Sequence, residues 1–177
     1  MLTVLLGGAR SGKSTAALRI AERAPGEVCF VATSPRIDGD DDLDRRIEVH
    51  RAERPADWRT IEAELDVAGA LTDAADAHVI VDCLTLWLGN LVHHGRSDDE
   101  ILRASTEALA IAAGRPGDTT VVTNEVGLGI VPADATTRRY RDLLGRINQQ
   151  WVSASDRSYF LVAGRALPLD DLGTIPS

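Results

Sequence analysis

The chain has 177 residues, 44% of them apolar and 26% charged, with a formal net charge of −8. That length suits a single domain, 1–177, with a sizeable core, and the acidic balance argues against nonspecific binding to nucleic acid or to an anionic membrane. No apolar run approaches the ~20 residues of a membrane span, and Leu2 to Leu6 run straight into glycines rather than into a signal peptide, so a cytoplasmic location is expected.

Thr3–Leu6 reads as a buried strand and Lys13–Arg23 as a helix. Val28–Thr33 is a second strand. Asp41–Arg54 reads as a helix with Leu43, Ile47 and Val49 on its apolar face, and Trp58–Leu71 as a looser helical stretch. Val79–Asp82 is a strand, and Ser97 is a good N-cap for a helix over Asp98–Ala113. Thr119–Thr123 is a strand, a helix runs from about Thr136 to Ala154, and Ser158–Ala163 is a last strand. The tail after Leu169 reads as frayed. There is no internal repeat. The two cysteines, Cys29 and Cys83, lie in apolar runs and read as reduced core thiols.

Continuous β-branched runs separated by helices predict an α/β fold: a mostly parallel sheet, five strands visible, covered on both faces in three layers. Ligands of such sheets lie beyond the carboxyl ends of the strands. The segments that matter are therefore Gly7–Ser14, Thr33–Ser34, Asp82 and Asn124–Gly127.

Gly7-Gly8-Ala9-Arg10-Ser11-Gly12-Lys13-Ser14 has two glycines four residues apart followed by Lys-Ser, the phosphate loop of P-loop NTPases. Glycines let the backbone curl so that successive N–H groups point at phosphate oxygens, and the following helix adds its positive end. Lys13 reaches the β- and γ-phosphates, and Ser14 offers a hydroxyl to Mg²⁺. Of the 19 basic residues, 18 are arginine, and Lys13 is the single lysine. A slender ammonium serves here where a broad guanidinium would not. Asp82 closes its strand where a P-loop protein places the acid that holds Mg²⁺. A GTPase of the Asn-Lys-x-Asp type is excluded, because no second lysine exists to complete that motif. Kinases, nucleotidyltransferases and ATPases stay open.

The chain resembles the bifunctional adenosylcobinamide kinase / adenosylcobinamide-phosphate guanylyltransferase family of cobalamin biosynthesis. The resemblance is carried by the phosphate loop, then Ala32-Thr33-Ser34, then Arg46-Ile47 with His50, Arg54-Pro55 and Trp58. It continues through Asp82-Cys83-Leu84-Thr85 with Asn90-Leu91 and through Thr123-Asn124-Glu125-Val126-Gly127-Leu128-Gly129-Ile130-Val131-Pro132. Arg141-Asp142, Gly145-Arg146-Ile147-Asn148-Gln149 and Val162-Ala163-Gly164 complete it. The family resemblance implies phosphorylation of adenosylcobinamide with ATP or GTP, then transfer of GMP to adenosylcobinamide phosphate through a guanylylated histidine, which matches His50. It places Ala32, Thr33 and Ser34 near the nucleotide and Arg51, Ala52, Glu53, Arg54 and Glu62 around the guanosine, and it implies a homotrimer. Arginines near His50 would hold its imidazole neutral and nucleophilic. The other histidines, His78, His93 and His94, read as solvated or capping. Asn124 and Glu125 are candidates for the cobinamide side, and Asp38–Asp42 for a hinge before the His50 helix. Arg138, Arg139 and Arg141 read as a solvated helix face or as phosphate contacts. An enzyme with only one of the two activities, or a non-catalytic nucleotide-dependent regulator, is the alternative.

Overall fold

A computed structural model describes residues 1–35 and 54–171. Its elements are β1 (Leu2–Gly7), α1 (Lys13–Ala21), β2 (Val28–Ala32), β3 (Arg59–Glu62), α2 (Val67–Asp73), β4 (His78–Asp82), α3 (Leu84–His93), α4 (Asp98–Gly114), β5 (Thr119–Asn124), α5 (Ala135–Ala154), β6 (Arg157–Val162) and β7 (Arg165–Pro168). The strands form one sheet in the order β3-β2-β4-β5-β1-β6-β7, parallel throughout except for β7. The predicted helix over Asp41–Arg54 and the hinge at Asp38–Asp42 lie outside the described residues, Arg54 apart.

The expected three layers are present. Leu2, Val4, Cys29, Val31, Val79, Val81 and Val121 of the sheet pack under α2, α3, α4 and α5, which contribute Leu71, Trp87, Leu88, Ile101, Leu144, Ile147 and Trp151. The alternate residues Leu5, Phe30, Ile80 and Val122 face the other way and pack under Ala17 and Ala21 of α1. Period-two alternation thus divides the sheet between two cores. Buried indole N–H groups are satisfied: Trp87 donates to the Leu65 carbonyl at 2.8 Å and Trp151 to the Ser105 hydroxyl at 3.1 Å. α4 starts on a capping box in which Ser97 and Glu100 satisfy each other's backbone N–H groups.

Four expectations need correction. Trp58–Leu71 is not one helix: Arg59–Glu62 is an edge strand paired in parallel with β2, and only Val67–Asp73 is helical. The helical period fails there because Ile61 is the single large apolar residue of the strand segment. Leu84–His93, read as no element at all, is a helix buried on most sides. The sheet has seven strands rather than five, since Arg59–Glu62 adds one edge and Arg165–Pro168 folds back antiparallel on β6 through a tight turn to add the other. Finally, His78 is not solvated. It is 5% exposed, with Nε2 3.1 Å from the Thr120 hydroxyl. Both cysteines are free and buried, as expected.

Candidate active site

The carboxyl ends of the strands form one edge. Glu62 is paired with Ala32, Ala32 with Asp82, Asp82 with Val122, and Gly7 with both Asn124 and Leu161. The predicted Glu62, Ala32 and Asp82 therefore share a row that continues through Val122 to Leu5, two residues before Gly7, and Glu62 lies four strand spacings, about 19 Å, across the sheet from β1. The chain leaves β1 for α1 on one face, whereas β5 feeds α5 on the other. That divergence opens a crevice at the end of β1.

The loop after β1 is shaped by two close approaches. A Cβ on Gly7 would lie 2.3 Å from the Leu161 carbonyl oxygen, so only glycine lets the loop start against β6. Gly12 has φ +99°, which an L side chain rarely adopts, and a Cβ there would sit 3.3 Å from Gly164 Cα. The Gly164 N–H donates to the Ser11 carbonyl at 3.0 Å, tying the β6–β7 turn to the loop. That turn has Ala163 at φ 49° and Gly164 at φ 73°, both left-handed, as a two-residue hairpin requires.

Lys13 is 7% exposed. Its Nζ donates to the Gly8 carbonyl at 2.7 Å and to the Ser11 hydroxyl at 3.3 Å, so the ammonium is held within the loop. Burial lowers its pKa, opposed by the nearby Cys83 and Asp82. Ser14 is half-buried in the first turn of α1, and Asp82 is half-buried at the end of β4. Among the described residues no three His, Cys, Asp or Glu side chains gather as a metal cage. A hydroxyl and a carboxylate beside a phosphate loop suit instead Mg²⁺, which takes few protein ligands and fills its shell with phosphate oxygens and water.

Around Asp82 the structure gives reasons the sequence did not. The Asp82–Cys83 peptide bond is cis. Thr33, fully buried, accepts from the Cys83 N–H at 2.7 Å and donates to the Cys83 carbonyl at 2.8 Å. Its hydroxyl, expected near nucleotide, is thus committed to fixing the segment after Asp82. The Thr33 carbonyl in turn accepts from Asn90 Nδ2 at 2.8 Å. Cys83, buried beside Asp82, has its thiol pushed up to about 11. Ala32 and Ser34 flank Thr33 and are half-buried, and Glu62 is exposed. Arg54 stacks its guanidinium 3.4 Å from the centroid of the Phe30 ring, which places it on the α1 face of β2. His50, Arg51, Ala52 and Glu53 lie outside the described residues.

At the end of β5, the Asn124 N–H donates to the Thr85 hydroxyl at 2.8 Å and its carbonyl accepts from Asn148 Nδ2 at 3.0 Å. Asn148 also accepts from Thr123 at 2.7 Å, so one buried amide aligns the strand end with α5. Thr85, Asn90, Asn148 and Gly164 are positioning residues that the sequence reading left without a role. The signal for the amides was a polar residue on an otherwise apolar helix face. Glu125 accepts from the Gly127 N–H at 2.5 Å. Beyond it, Leu128, Ile130 and Val131 are 79%, 98% and 60% exposed. Of the three arginines on α5, Arg139 pairs with Asp98 and Arg141 with its neighbour Asp142, while Arg138 caps the carbonyls of Pro132 and Ala133.

A family described as cobinamide kinase / cobinamide phosphate guanyltransferase matches residues 3–169. The chain is 44% identical over 172 residues to the bifunctional adenosylcobalamin biosynthesis protein CobP of Pseudomonas aeruginosa, covering 96% of this chain and 97% of that protein. It is 36% identical over 178 residues to the bifunctional adenosylcobalamin biosynthesis protein CobU of Salmonella typhimurium, covering 93% and 97%. Among solved structures, an ATPase from the type III secretion system of pathogenic bacteria superposes with a TM-score of 0.54 at 14% identity. That match covers 91% of this chain and 51% of the ATPase, and it speaks for the shared fold alone.

Proposed function

The chain belongs to the cobinamide kinase / cobinamide phosphate guanyltransferase family, and we propose that it phosphorylates adenosylcobinamide and then guanylylates the product through His50. The observation that carries this reading is the loop ammonium: Lys13, the single lysine of the chain, held 2.7 Å from the Gly8 carbonyl at the carboxyl edge of β1, in the field of Asp82.

In the kinase step the aminopropanol hydroxyl of adenosylcobinamide attacks the γ-phosphorus of ATP or GTP. An O–P bond forms, the bond from Pγ to the bridging oxygen breaks, and the nucleoside diphosphate leaves. Lys13 and the N–H groups of Gly8 to Ser14 offset the charge on the transferring and leaving oxygens. In the second reaction a neutral nitrogen of His50 attacks the α-phosphorus of GTP. An N–P bond forms and pyrophosphate leaves, held by the same loop. A phosphate oxygen of adenosylcobinamide phosphate then displaces His50, giving adenosylcobinamide-GDP. The loop serves both reactions because it grips the phosphates while the nucleophile changes. Ser14 and Asp82 would hold Mg²⁺, which, when bound, supplies further neutralisation of phosphate charge.

Glu62 at the end of β3 suits guanine, since a carboxylate accepts from both N1–H and the exocyclic amine. The row Glu62, Ala32, Asp82 supports a guanosine lying across β3, β2 and β4, with Arg51, Ala52, Glu53 and Arg54 around it. Asn124 and Glu125 are assigned to the cobinamide side. The chain acts in the cytoplasm as a homotrimer. The exposed apolar run at Leu128, Ile130 and Val131 supports self-association, because such patches mark interfaces, and light scattering of the purified chain measures it. No helix among the described residues is long and apolar enough to cross a membrane.

The test is incubation with α-labelled GTP. Label that is acid-labile, base-stable and lost in His50→Ala, with phosphorylation of adenosylcobinamide retained, is the expected result. Absence of any covalent label with kinase activity intact would sink the guanylylation.

A further inference from the structure

The face of the sheet that carries α1 is unevenly covered. α1 lies over β1, β4 and β5. β6 pairs with β1 on the far side, with Thr3 opposite Arg157, Leu5 opposite Tyr159 and Gly7 opposite Leu161. Among the described residues no helix covers that face of β6. A groove of about 730 Å³ results between α1 and β6, within the ~300–1,000 Å³ of small-molecule sites. One end is formed by Gly12, Thr15 and Gly164, which belong to the phosphate loop, its helix and the turn bonded to it. The other end carries Arg23 and Arg157, with Arg19 between.

The charge here runs against the rest of the chain. The molecule is at −8, yet three arginines line this groove and no carboxylate does among the described residues. Among the described residues none of the three side chains has an ion-pair or hydrogen-bond partner, whereas Arg96, Arg139 and Arg141 elsewhere pair with acids. Three guanidiniums with no acidic partner among the described residues line one cleft, and they suit an electron-rich ligand. Between them Leu5, Ile20 and Ala166, with the half-buried Tyr159, give an apolar floor on which a planar ring system packs.

The order of groups along the loop fixes the direction of a nucleotide. Lys13 takes the β- and γ-phosphates, and Thr15, two residues on, stands at the mouth of the groove. A triphosphate with its terminal groups on Lys13 that runs past Thr15 delivers its sugar and base into the cleft. The other direction leads about 19 Å along the sheet edge to Glu62. One nucleotide cannot occupy both.

We propose that the groove between α1 and β6 is the nucleoside seat of the phosphoryl donor in the kinase step, separate from the guanosine seat at Glu62, with one phosphate loop shared by both. This rests on the two-reaction reading given above. Arg19 from the helix wall and Arg157 from the strand wall donate to ring nitrogens such as N3 and N7, acceptors that adenine and guanine have in common. With no carboxylate among its described lining residues, the seat lacks the group that would select guanine.

Photolysis of the wild-type chain with 8-azido-ATP, followed by peptide mass spectrometry, reads the seat directly. Adducts on α1 or on β6 around Tyr159 are expected. Adducts confined to the segment around Glu62 overturn the proposal. Kinetics give a second reading with Arg19→Ala/Arg157→Ala, a pair of exposed positions whose loss leaves the core intact. The donor KM of the kinase step is expected to rise about tenfold, while the rate of protein labelling from α-labelled GTP stays within about twofold. An unchanged donor KM, or an equal loss in both reactions, overturns it. Should the wild-type chain perform neither transfer, the proposed function fails, and the photolabelling still decides whether the groove takes a nucleoside.

Discussion

Replacing Thr33 by Val separates a nucleotide contact from a structural one. Thr33 is 0% exposed, and its hydroxyl both accepts from the Cys83 N–H and donates to the Cys83 carbonyl, at 2.7 and 2.8 Å. Valine keeps the shape and removes both bonds. Each buried peptide group left unsatisfied costs about 1–3 kcal/mol, so the substitution is expected to cost about 3 kcal/mol in all. For a domain of this size that lowers Tm by about 6–12 °C. Thr33→Ser keeps the hydroxyl and loses one methyl, at a cost of about 1 kcal/mol. Urea denaturation followed by circular dichroism should therefore rank wild type above Thr33→Ser and Thr33→Val last, with similar slopes. Nucleotide affinity of the folded Thr33→Val chain should fall only through displacement of Asp82. A Thr33→Val chain as stable as wild type but unable to bind nucleotide would refute the reasoning.

Lys13→Arg is expected to lose about 10²–10³ in both transfers with the fold intact, because a planar guanidinium cannot enter the space where Nζ meets the Gly8 carbonyl at 2.7 Å. Retention of either activity near the wild-type level would contradict it. His78 is 5% exposed with Nδ1 unpartnered, and burial lowers its pKa below 6.5. The unfolded chain then binds the proton first, so stability falls as the pH drops through 6.5, and His78→Leu flattens that limb of the curve. An NMR titration in which the folded His78 ring protonates at 6.5 or above would count against this. Cys83 is raised from 9.0 to about 11, which leaves roughly 100-fold less thiolate at pH 8 than an exposed thiol holds. Its reaction with a disulfide reagent should be slower than in urea by at least that factor. Stability should decline between pH 9 and 11, where the unfolded thiol ionises and the folded one does not.

Five strands, the helices at α1, α4 and α5, and the phosphate loop were legible because their signals are local. A β-branched run, a 3.6-residue apolar period with a Ser97 cap, and glycines spaced around Lys-Ser each state their conformation within a dozen residues. β3 was not legible. Arg59-Thr60-Ile61-Glu62 has one large apolar residue, and it becomes a strand because β2 offers it an open edge. α3 was missed for the opposite reason: Leu84–His93 is apolar around most of its circumference, so a buried helix shows no period.

The candidate site divides the same way. The amino-acid sequence alone determined that Lys13 and Ser14 sit on a phosphate loop, since that loop is a property of eight consecutive residues. It also carried the family, through short stretches in a fixed order. Tertiary structure decided what those stretches face. It gave the Thr33 hydroxyl to the Cys83 peptide, stacked Arg54 over Phe30, and pressed Gly164 against Gly12. It also lined Arg19, Arg23 and Arg157 along one groove, although more than 130 residues separate Arg23 from Arg157 in the chain. Such neighbours are set by strand order and by the register of β1 against β6, and no local pattern encodes a pairing between residues so far apart.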